Sequence, residues 1–142
     1  MKTNQIIAIL GLLVIAAAKG RAQLAVAKPE EAAQKAVAEW LALVDGGNFS
    51  DSWMEAAGYF KAAVSPEQWE HSLNVARKPL GDLVSRKLKS AQYMTSLPGA
   101  PDGQYVVLQF DTSFTHKKVA VETVTPMLDK DGKWRVSGYY IK

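Results

Sequence analysis

Cysteine is missing from all 142 residues. That excludes a disulfide framework, a thiol redox centre, a thiolate metal site and a lipid-modified cysteine anchor, so the domain is held by packing alone. Histidine is scarce, with only His71 and His116, and neither has a partner at ligand spacing. No metal site and no cofactor is therefore expected, and the serine-nucleophile, phosphate-loop and metalloprotease-helix motifs are absent. Repeats and low-complexity tracts are also lacking. At 142 residues with 48% apolar and 22% charged composition, the chain has material for one domain with a real core.

Long apolar runs are limited to one, from Ile6 to Ala18, preceded by Lys2 and followed by the small residues Gly20 and Ala22. This is the pattern of a Sec-type secretory signal peptide, and it is short for a transmembrane helix, which needs about 20 residues. Cleavage is expected after Ala22, with Ala27 as the second site. The organisation reads as a leader over 1–22, a linker over 23–29 and a single domain over 30–142. A periplasmic or secreted protein with no stable membrane anchor after cleavage follows. Losing the leader takes Lys2, Lys19 and Arg21 from the formal charge of +3, leaving 14 basic and 14 acidic residues. With no basic stripe interleaved with aromatics, nucleic acid is not an expected partner.

What is present divides into two periodicities. Ala33, Val37, Trp40, Leu41 and Val44 form one stripe of a helix over Glu30 to Val44, which Asp45-Gly46-Gly47 ends. Trp53, Ala56, Ala57, Phe60 and Val64 predict a second helix over Asp51 to Val64. A third begins at Ser65-Pro66-Glu67-Gln68, an N-cap, a first-turn proline and a capping-box glutamine, and carries Trp69, Leu73, Ala76 and Leu80. Lys78-Pro79 ends or kinks it. The tryptophans at 40, 53 and 69 sit among alanine and leucine, which favours core packing over an aromatic ligand cage.

After Gly81 the period becomes two. Strands are expected over Leu83 to Met94 and Gln104 to Thr115, the latter with Val106, Leu108, Phe110, Thr112 and Phe114 on its apolar side. A closing hairpin spans Glu122 to Lys142, turned at Lys130-Asp131-Gly132. That loop pairs Leu128 with Trp134, Val124 with Gly138 and Glu122 with Tyr140. Glu122, Val124, Leu128, Trp134, Val136 and Tyr140 then share one face. Helices first and antiparallel strands after give an α+β fold, three helices on one face of a four-stranded sheet. Tyr105, Val107, Val121, Tyr139 and Ile141 fall on the other face, more apolar than water alone would favour, which suggests a homodimer or another partner there.

The order of elements and the Gly132-Lys-Trp-Arg-Val-Ser-Gly-Tyr-Tyr140 strand resemble the cone-shaped fold of nuclear transport factor 2-like proteins. More closely, Trp40-Leu41 with Asp45, Ser52-Trp53 with Ala56-Ala57, Arg77 to Gly81, Ser85-Arg86, Leu97-Pro98-Gly99, Asp102-Gly103 and Glu122-Thr123 resemble the bacterial domain-of-unknown-function family numbered 4019. The resemblance covers about Ala32 to the end. It implies a fold and an exported setting and no established activity; the wider superfamily holds isomerases and dehydratases as well as silent dimers and binding modules. The extra hairpin between helices of its better-known members is missing here.

In the cone reading, Arg77, Arg86, Glu122 and Tyr140 are the polar groups pointing inward, and they form the candidate ligand site. Three roles stand open for them: a buried Arg86 to Glu122 pair that fixes strand order, an arginine fork for a small anionic ligand, or Glu122 as an acid-base group beside Tyr140. No catalytic residue is assigned. The overall expectation is a non-enzymatic ligand-binding or protein-interaction module, with an isomerase or dehydratase using the buried glutamate as the competing class.

Overall fold

The computed structural model describes residues 28–142. The expected leader and its cleavage sites after Ala22 or Ala27 lie outside the described residues.

Helix α1 (Pro29–Asp45) opens on a proline, whose missing N–H costs nothing in a first turn, and carries Glu30 and Glu31 where the helix dipole favours them. Its buried residues are Ala33, Val37, Trp40, Leu41 and Val44, the stripe its spacing predicts. The helix expected over Asp51 to Val64 is instead two short ones, α2 (Phe49–Met54) and α3 (Gly58–Ala63). The break falls where Ala57 turns extended and gives its N–H to the Val136 carbonyl of the last strand at 2.8 Å. Ala56 and Ala57 are both fully buried there. A bond to the sheet and close approach of two small side chains outweigh helical propensity, which is worth less than about 1 kcal/mol per residue. Helix α4 (Pro66–Ala76) has the capping box read from sequence: Gln68 N–H donates to Ser65 Oγ at 3.2 Å and Ser65 N–H to Gln68 Oε1 at 2.9 Å.

Arg77 caps α4, and a single 3-10 turn over Lys78–Leu80 hands the chain to Gly81, at φ 79° and ψ −151°. Only glycine occupies that region readily. A Cβ at Gly81 would also lie 2.0 Å from Thr115 Oγ1 and 2.8 Å from His116 Cδ2. Gly81→Ala is therefore expected to cost roughly 1–3 kcal/mol, read as a lower urea midpoint at unchanged slope.

Strands β1 (Leu83–Met94), β2 (Tyr105–Phe114), β3 (Lys117–Leu128) and β4 (Trp134–Ile141) form one curved antiparallel sheet in chain order. Val106, Leu108, Phe110, Val124 and Val136 meet the helix stripes in a single core with Trp40, Leu41, Phe60, Trp69 and Leu73. The α+β arrangement is thus as the change of period indicated.

The closing hairpin keeps the expected register only near its turn. Leu128 pairs with Trp134 and Pro126 with Val136, but then Thr125 pairs with Gly138, Val124 with Tyr139, Thr123 with Tyr140 and Glu122 with Ile141. Ser137 is the extra residue of a bulge beside Pro126, and its hydroxyl donates to the Thr125 carbonyl at 2.7 Å. Proline has no N–H for the ladder, so sheets accommodate it at such irregularities. A slip of one residue exchanges the two faces of everything beyond it. Tyr139 and Ile141 consequently face the core side with Glu122, and Tyr140, 58% exposed, lies on the other face.

Candidate functional site

The polar interior is built from six elements. Asp45 ends α1, Arg77 caps α4, and Arg86, Thr112, Glu122 and Tyr139 project from β1, β2, β3 and β4 in turn. Arg86 stands opposite Thr112 across β1 and β2, in phase with Leu88 opposite Phe110, so strand alternation alone carries it inward.

Glu122 has no exposed surface. Its Oε1 accepts from Arg86 Nε at 2.7 Å and Thr112 Oγ1 at 2.6 Å, and its Oε2 from Arg86 Nη2 at 3.1 Å and the Tyr139 hydroxyl. Arg86 turns its other edge to Asp45, with Nη1 to Oδ2 at 2.7 Å and Nη2 to Oδ1 at 3.0 Å. One guanidinium thus holds two carboxylates in paired hydrogen bonds, the strongest geometry available to such groups. Arg77 joins through Asp45 Oδ1 at 3.2 Å, gives Nη1 to the Gly81 carbonyl at 2.6 Å, and lies over the Phe114 ring at 4.4 Å. Two cations meet two anions, so the cluster is formally neutral. Burial disfavours the Arg86 cation, yet its bonds to Asp45 and Glu122 outweigh that and raise its pKa further. The Tyr139 hydroxyl is also pushed far up, first by burial and then by the Glu122 charge, and stays a donor.

The structure therefore brings together Arg77, Arg86 and Glu122 and leaves Tyr140 out; Tyr139 takes the place that the unbulged register assigned to its neighbour. The expected Arg86 to Glu122 pair is present. Asp45, which completes the network, looks from sequence like a simple helix-end residue. Its position carried the missing signal: an acid in the last turn opposes the helix dipole and needs a cation to hold it there.

The outer face of the sheet changes as well. Tyr105 is 1% exposed, its hydroxyl donating to the Pro101 carbonyl at 2.6 Å, so the chain itself covers it. Tyr139 and Ile141 are on the inner side. Of the patch expected to meet a partner, only the half-buried Val107 and Val121 remain on the outer face uncovered by the chain, and the exposed Tyr140, expected inside, lies there with them.

Two concavities flank β4. One, of about 610 Å³, lies between α1, α2 and the start of β4, over Trp40, Leu43, Met54 and Trp134. Another, of about 690 Å³, lies between Tyr59, the loop at Pro101 to Gly103 and the β3–β4 turn. In that turn Arg135 bonds Asp129 and both carboxylate oxygens of Asp131. The Arg135 bonds, with the Lys133 N–H, hold the Asp131 carboxyl down at about 2 from an ordinary 3.8. A lowered folded pKa stabilises above the unfolded value and loses that contribution as pH falls from about 3.8 through about 2. A carboxyl ¹³C titration of the turn should place the Asp131 midpoint near 2, and Arg135→Leu should return it towards 3.8.

The family profile described as protein of unknown function (DUF4019) matches residues 36–139. The chain belongs to the DUF4019 family. The match spans Asp45, Arg77, Arg86, Thr112, Glu122 and Tyr139, so every member of the buried network lies within the DUF4019 domain. No curated protein matches the chain.

Proposed function

We propose that this DUF4019 chain is an exported, non-enzymatic binding module, a cone of the nuclear transport factor 2-like kind. The leader pattern of Lys2 and Ile6 to Ala22 supports export, and the helices-then-meander order supports the fold kinship. The observation that carries the reading is the state of Glu122. Both its oxygens are taken by four donors, and it has no exposed surface. A general base needs a free lone pair within reach of a substrate proton. A substrate would have to displace Arg86 or Tyr139 to find one. The Arg86 fork is likewise committed to carboxylates, so an anion entering the cone would compete with Asp45 and Glu122 for it. Binding is therefore assigned to the concavities outside the network.

Native mass spectrometry of the protein recovered from its own cell envelope tests this. The expected result is a chain starting at Gln23 or Lys28 that carries an additional bound mass. A bare chain with small-molecule turnover, lost in a folded Glu122→Gln variant, would overturn the reading in favour of the acid-base enzyme.

A further inference from the structure

We propose that the groove between α1, α2 and the start of β4 binds a small organic cation on an apolar stem, an alkyl guanidinium or alkyl ammonium. The inference rests on the reading of this chain as a binding module and gives its ligand a chemical class. The groove holds about 610 Å³, within the range of small-molecule sites. Part of its wall is apolar and aromatic, from Trp40 and Leu43 of α1, Met54 of α2, and Trp134 and Val136 of β4. Trp134 is half-buried; it packs against the core and also lines the groove. Met54, 61% exposed, is a large apolar side chain left at its edge.

Charge selects the occupant. Glu39 on α1, with Asp51 and Glu55 at α2, lines the groove, facing Lys133 and Arg135. Arg135 is already engaged by Asp129 and Asp131. Among the described residues, no cation lies within ion-pair distance of Glu39, Asp51 or Glu55. Three uncompensated carboxylates against one uncommitted ammonium make an aromatic-walled groove with excess negative charge. A guanidinium or ammonium would be drawn by the carboxylates and by the indole of Trp134, the best ring type for a cation. Its alkyl stem would cover Leu43 and Met54. An anion would meet repulsion at the same place, so this site is distinct in chemistry as well as position from the arginines of the interior.

The test is a two-dimensional NMR titration of the whole purified protein with butylguanidinium and with butylurea, its uncharged counterpart of the same shape. Saturable shifts of the Trp134 indole N–H and the amides around Glu39 and Glu55 are expected with the cation and not with the urea. Glu39→Gln combined with Glu55→Gln changes only exposed side chains, and should weaken binding about tenfold. Raising salt to about 0.5 M should weaken it severalfold, as exposed charges are screened. Equal shifts from both probes, affinity unchanged in the double variant, or no saturable shift with the cation would each overturn the proposal. The binding-module reading is judged separately by the native mass: a neutral or anionic adduct would uphold that reading and overturn the cation.

Discussion

Glu122→Gln is expected to destabilise the protein by about 3–5 kcal/mol, the usual cost of removing one member of a buried ion pair. The substitution preserves volume, so no cavity contributes. Its cost arises because a carboxylate that only accepts becomes an amide that also donates. Four donors converge on Glu122, from Arg86 twice and from Thr112 and Tyr139. The new amide N–H₂ must point at one pair of them, and Arg86 keeps only Asp45 as a counter-charge. The measurement is the urea midpoint at unchanged slope. A midpoint equal to that of the parent protein would contradict a structural role for the carboxylate and reopen acid-base chemistry.

Arg86→Met should cost a similar amount, about 3–5 kcal/mol, for the complementary reason. It removes four hydrogen bonds at once and leaves Glu122 charged, enclosed and held only by two hydroxyls. Asp45 retains Arg77 at 3.2 Å, so the loss concentrates on Glu122. The decisive comparison is the double variant Arg86→Met with Glu122→Leu. Taking away the stranded charge together with its partner should recover about 2 kcal/mol or more relative to the sum of the single costs. Strict additivity would mean that the two side chains share no energetic coupling despite their contact.

The helical half was largely legible because its signals are local. The stripe from Ala33 to Val44 and the box at Ser65 and Gln68 depend on residues at most a few turns apart, and both stand as read. The split of α2 from α3 was not, since the bond that causes it runs from Ala57 to Val136, far along the chain. The same distinction separates the parts of the site. Arg77, Arg86 and Glu122 could be placed inward from their own periodicity. Tyr139 could not, because its face is set by one inserted residue, Ser137, opposite a proline that cannot complete the ladder. Asp45 was hidden for another reason: a helix end next to two glycines accounts for an aspartate without any partner, unless its unfavourable place on the dipole is weighed.

The span of the network in sequence sets the order in which the molecule can be finished. Arg86 reaches 41 residues back to Asp45 and 36 forward to Glu122, and Tyr139 closes the group from β4. A chain emerging from its amino end can form α1 early, but Asp45 and Arg77 then have at most each other, in water, until Arg86 and the strands beyond it arrive. Contacts of this separation form slowly, after much chain entropy has been lost. The core of the domain is consequently sealed late, by the last strand, and a chain held short of β4 should keep α1 but lack both the native break between α2 and α3 and the closed polar interior.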